Sequence, residues 1–161
     1  MTIKIQLLNQ LQQVIEQDLA TLTASARTAA IEATHEESRP ENKYDTRGLE
    51  ASYLAGAQSA RAAELVAILD HVRNTIPRTF SERDPIAATA IAELESEGGA
   101  PTIVFLVRLG AGYTLTVESK KYVTVTTQSP LGQALLGKLA GDAVALTTGR
   151  ETKEYDIIRV T

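Results

Sequence analysis

Four carboxylates crowd one short stretch of this chain: Glu36, Glu37, Glu41 and Asp45, inside Ala33–Arg47. Carboxylate oxygens ligate hard cations such as Mg²⁺ and can also move protons. A plainer use is equally open. Ser38-Arg39-Pro40-Glu41 fits a helix capping box, with Ser38 as N-cap, Glu41 three residues on and Pro40 in the first turn. Glu36 and Glu37 fall near the C-terminal end of the preceding helical pattern, where the helix dipole disfavours them. Arg39, Lys43 and Arg47 make the stretch mixed in charge rather than strongly acidic.

Other chemistry is poorly supported. The chain has no Cys, which excludes thiol catalysis, disulfides and zinc ribbons. His35 and His71 are its only histidines and are too far apart for a metal pair on one helical turn. Ser129 has no nearby histidine in sequence, and a capping role explains it. The glycines of Leu109-Gly-Ala-Gly-Tyr113 lead into a strand, so a phosphate loop is not expected. The net charge is −4, which gives no pointer to direct nucleic-acid binding.

Two long helices must hold the acidic stretch. Leu8, Leu11, Ile15, Leu19, Leu22, Ala26, Ala29 and Ala33 recur at three- and four-residue steps, predicting a helix from residue 3 to about 34. A second pattern runs from Arg39 to about Asn74, with Leu49, Tyr53, Gly56, Ala60 and Ala63 continued by Leu65, Ile68, Leu69 and Val72. Each is roughly 45 Å long. Joined by a short connector they form an antiparallel hairpin, or coiled coil, over residues 1–75, with its tip at 35–47. The stripes turn from leucine to alanine toward the connector, so the far end is expected to be thin. Gly48 and Gly56 are read as points of close helix contact.

Residues 76–85 carry two prolines and several turn formers, marking a linker. Beyond it the period falls to two. Strands are predicted near 90–95, 102–107, 113–117, 122–126, 143–147 and 155–160. Between the fourth and fifth lies Gln128–Asp142, where Ser129 caps a short helix that begins at Pro130. Leu131, Ala134 and Leu135 share its inner face, Gly137 ends it, and Gly141-Asp142 turn into the next strand. The fold class is α+β: a helical hairpin, then an antiparallel β domain over 86–161 with one short helix.

The run Ser-Pro-Leu-Gly-Gln-Ala-Leu-Leu-Gly-Lys-Leu-Ala-Gly-Asp, residues 129–142, closely resembles the C-terminal domain of the Gre family of bacterial transcription elongation factors. Glu41-Asn42 matches a Glu-Asn pair at that family's hairpin tip, and Tyr44 stands one position before the family tyrosine. The resemblance spans nearly the whole chain. It implies an FKBP-like C-terminal domain and a hairpin that enters the secondary channel of bacterial RNA polymerase. Acidic tip residues there help hold a second Mg²⁺ and a water, and the polymerase itself cuts the backtracked transcript. The partner implied is thus the polymerase, with nascent RNA reached only indirectly. The chain would be no enzyme by itself and would have no cofactor of its own beyond Mg²⁺ shared through the polymerase.

On that resemblance Glu37 and Glu41 are the catalytic and metal-binding candidates, with Glu36 and Asp45 in reserve. Asn42 and Tyr44 would orient the tip. Ser129, Pro130 and Gly132 belong to the anchoring region on the channel rim. The family's essential aspartate falls on Ser38 here, with Glu37 one residue earlier. Two other readings follow: a channel-occupying inhibitor or adaptor that does not promote cleavage, and a helical-hairpin interaction module with another partner. Isomerase activity is not expected, because the C-terminal half has only Phe105, Tyr113, Tyr122 and Tyr155 to line an aromatic pocket. The N-terminus lacks a signal-peptide apolar core, and no run approaches membrane-spanning length. A cytoplasmic protein with no membrane partner and no small-molecule substrate is expected.

Overall fold

The computed structural model describes residues 1–34 and 47–161. Its elements are α1 (Ile3–Thr34), α2 (Arg47–Arg73), β1 (Ile91–Glu95), β2 (Thr102–Val107), β3 (Thr114–Val117), β4 (Lys120–Thr126), α3 (Pro130–Leu135), β5 (Ala143–Thr148) and β6 (Glu151–Val160). This is the expected helical hairpin followed by a β domain with one short helix. The part of the second helix expected over 39–46 lies outside the described residues. Among the described residues no helix is long and apolar enough to cross a membrane.

Two compact units divide the chain: Gln12–Asp70, and Met1–Leu11 together with His71–Thr161. In the first, Ile15 is fully buried, and Leu19, Leu22, Ala26 and Ala29 continue its stripe half-buried. Helix α2 keeps the expected stripe at Leu65, Ile68, Leu69 and Val72 but departs from it before them. There Gln58 and Ala62 are shielded, whereas Tyr53 is 73% exposed and Gly56, Ala60 and Ala63 face solvent. A Cβ on Gly56 would meet open space, so this glycine is not a point of close contact. The alanine-rich sequence supports two phases, and the one that continues Leu65 and Leu69 by steps of three and four wins.

The second unit is built on a six-stranded sheet of order β3-β4-β2-β1-β6-β5. It is mixed, not wholly antiparallel: β2 and β4 run parallel, with Ile103 opposite Tyr122 and Val107 opposite Thr126. The β3–β4 hairpin explains this, because β4 inserts beside β2 and leaves β3 at the edge. Two residues close that hairpin, Glu118 and Ser119, at φ 49° and 64°. Such a turn favours Asn-Gly, and this departure hid it from sequence reading. Phe80, Ile86, Leu94, Val104, Leu106, Leu135, Ile157 and Val160 form the core, with Leu131 and Ala134 packed against it.

The first turns of α1 are part of this unit. Leu7 and Leu11 are fully buried. Gln10 Oε1 accepts a hydrogen bond from the Thr116 backbone N–H at 2.8 Å, satisfying a donor on the outer edge of β3. Lys4 Nζ donates to the Arg78 carbonyl at 2.6 Å and lies 4.3 Å from the Phe80 ring centroid. The Arg78 guanidinium approaches the same ring at 4.9 Å. The linker is therefore pinned: Phe80 is buried, and the Arg78 N–H donates to Thr89 Oγ1 at 2.9 Å.

Burial, and then the nearby Arg78 charge, lowers the Lys4 pKa from 10.5 to about 8. Below pH 8 the folded and unfolded chains both carry the ammonium, and folding bears the cost of burying it. As pH rises from 8 toward 10.5 the folded chain releases the proton first, so stability rises with pH. Tyr122, whose pKa burial raises from 10.0, works against this rise as pH approaches 10, because the unfolded chain then loses that proton first. Urea unfolding between pH 8 and pH 10 is expected to show a Lys4-dependent rise below about 1.4 kcal/mol per pH unit. Lys4→Met is expected to remove it.

Candidate functional site

Segment 128–142 folds as its residues direct. Ser129 is extended (φ −70°, ψ 158°), and Pro130 opens α3. The Ser129 hydroxyl works in both directions, donating to the Thr126 carbonyl at 2.8 Å and accepting the Gly132 N–H at 3.1 Å. With both bonds made, it is a cap and not a nucleophile. A Cβ on Gly132 would collide with the Thr126 carbonyl oxygen. This glycine is present because helix and strand end meet too closely for any side chain.

The rest of the segment locks the helix into the sheet unit. Gly137 leaves the helix at φ 77°, and its N–H donates to the Ile86 carbonyl at 2.9 Å. The Ile86 N–H returns a bond to the Lys138 carbonyl at 2.8 Å, pairing the end of the linker with the helix exit. Asp142 Oδ2 accepts the Leu139 N–H at 2.8 Å, and the Gly141 N–H donates to the Ile157 carbonyl at 2.7 Å.

Beside this helix lies a cavity of about 260 Å³, bounded by Ser129, Pro130, Leu131, Leu146 and Thr148 among others. Its described lining carries no charged group, so it can recognise shape and apolar surface but perform no acid–base step. Pro130 and Leu131 form part of its wall, while Ser129 and Gly132 position that wall. Leu136 and Leu139 add exposed apolar surface at the helix exit.

Glu36, Glu37, Glu41, Asn42, Tyr44 and Asp45 lie outside the described residues, as do Ser38 and His35. Among the described residues, no group of three or more His, Asp or Glu side chains could hold a metal. A second cavity, larger than the first, lies at the foot of α1, between Leu8, Val72, Ala88 and Val107. Sequence reading missed it, because its residues come from four separate segments with no shared motif.

Comparison with solved structures returns several chains of low identity. The transcription factor Gfh1 is 22% identical over 94% of this chain and 93% of its own, at a TM-score of 0.40. GreA factor homolog 1 (Gfh1) of Thermus thermophilus gives 22% identity over 93% and 94%, again at 0.40. The prokaryotic transcription elongation factor GreA/GreB from Nitrosomonas europaea is 17% identical over 70% of this chain and 91% of its own, at 0.38. No protein-family model matches, and no curated protein matches.

Removing the cap by Ser129→Ala is expected to cost about 0.5–2 kcal/mol in unfolding free energy. Gly132→Ala must push α3 off the Thr126 carbonyl and is expected to cost about 1–3 kcal/mol. Denaturant unfolding of both variants checks this. A neutral Gly132→Ala would mean that the close approach is not a constraint.

Proposed function

We propose that the chain is an RNA polymerase secondary-channel factor of the Gre type, acting in the bacterial cytoplasm on backtracked elongation complexes. The observation that carries this reading is the Ser129–Asp142 signature following a two-helix N-terminal half, in the order the Gre family has. In this reading the hydrolysis belongs to the polymerase. Two-metal phosphodiester cleavage needs oxygen donors at its more weakly held ion. Mg²⁺ takes one or two carboxylates and keeps its remaining waters. Glu37 and Glu41 would supply those donors, with Glu36 and Asp45 in reserve and Asn42 and Tyr44 orienting the tip. The surface around Pro130 and Leu131 would rest on the channel rim.

The chain should accelerate 3′-end cleavage of RNA in stalled, backtracked complexes, and Glu37→Gln with Glu41→Gln should slow that cleavage by about ten-fold or more. Polymerase binding without any acceleration would remove the cleavage role. Failure to bind polymerase would remove the whole reading.

One observation favours a second reading, a channel occupant that does not promote cleavage: Ser38 stands where the family has its essential aspartate. Ser38→Asp is then expected to create or raise cleavage stimulation in the same assay. An unchanged rate in that variant, alongside an active parent chain, would show that Glu37 already serves.

A further inference from the structure

We propose that the cavity at the foot of α1 is a docking site for an acidic peptide segment of a partner protein, which seats one large apolar side chain in it. The cavity encloses about 310 Å³ on a floor of Leu8, Val72, Ala87, Ala88 and Val107. Its apolar surface does not stop at the floor. Ile76, 87% exposed, and Leu109, 42% exposed, also line it. Continuous apolar surface of this kind is what a binding partner covers.

The charge around it selects the partner's chemistry. Arg78 and Arg108 line the cavity, and none of its described lining residues is Asp or Glu. The chain as a whole carries a net charge of −4, so this patch opposes the overall sign. A cationic rim steers carboxylates toward it, while the apolar floor holds an anchor side chain. Size favours a peptide over a small molecule. The volume is at the low end of small-ligand pockets, about 300–1,000 Å³, and a ligand filling it would still leave much of Ile76 in water.

A backbone feature marks the same place. Thr89, a β-branched residue that lines the cavity, is held at φ 72°. Such a conformation is strained for a β-branched residue and persists only where its surroundings impose it. Here the Thr89 N–H donates to the Leu106 carbonyl at 2.8 Å, and its hydroxyl accepts the Arg78 N–H at 2.9 Å. The Thr89 hydroxyl thus holds the backbone from which Arg78 projects.

This inference does not depend on the polymerase reading. Its test is unbiased selection of a random peptide library on the full chain, followed by chemical-shift mapping of an enriched peptide on isotope-labelled protein. Enriched sequences should carry several acidic residues around one Leu, Ile, Phe or Tyr, and shifts should centre on Thr75, Ala88 and Leu109. Ile76→Asp with Arg108→Glu, both at exposed positions, should weaken binding by about ten-fold or more with thermal unfolding unchanged. Basic or uncharged consensus sequences, no enrichment, shifts centred elsewhere or unchanged affinity in the double variant would each overturn the proposal. So would a response to anionic lipid vesicles alone, or self-association through this face.

Discussion

The first turns of α1 are buried in the sheet unit, and much of that unit depends on this one packing arrangement. Leu7 and Leu11 supply the apolar part. Gln10 satisfies an edge N–H of β3 that would otherwise invite another strand. Lys4 ties the linker down through the Arg78 carbonyl and the Phe80 ring, at the cost of burying its ammonium. Remove these contacts and the edge of β3, the Phe80 site and the cavity beside Leu8 all lose a wall.

The Ser129–Asp142 segment shows how a recognisable motif can be a packing solution. Ser129 caps the helix, and Gly132 allows its close approach to the strand end. Gly137 makes the helix exit, Gly141 the turn, and Asp142 the bond that closes that turn. Residues so constrained are poorly free to serve a partner directly. What remains for a partner is the surface they create, the uncharged cavity walled by Pro130 and Leu131 and the exposed leucines that follow.

Much of this was legible in the sequence. The bounds of α1, the start of α3 at Pro130 and strand β2 follow from periodicity, capping chemistry and β-branched runs. The phase of α2 was legible from Leu65 to Val72 but not over the alanine- and glycine-rich turns before them, which mark no face. The parallel β2–β4 pair was hidden, since local pattern carries no information on strand order. The first half of β6, Glu151–Glu154, reads as polar loop and forms a strand only because β5 pairs with it. At the candidate tip the sequence still speaks alone, through Glu37, Glu41 and the serine at position 38. The cavity at Leu8 had no sequence signal at all, being assembled from distant segments.

Native-state hydrogen exchange tests the central claim, that the opening turns of α1 are an integral part of the sheet unit. The amides of Leu7, Leu8 and Leu11 should open with the same free energy and denaturant dependence as those of Val104 and Leu106. Exchange of these helix amides at a much lower free energy, while the strand amides stay protected, would contradict it.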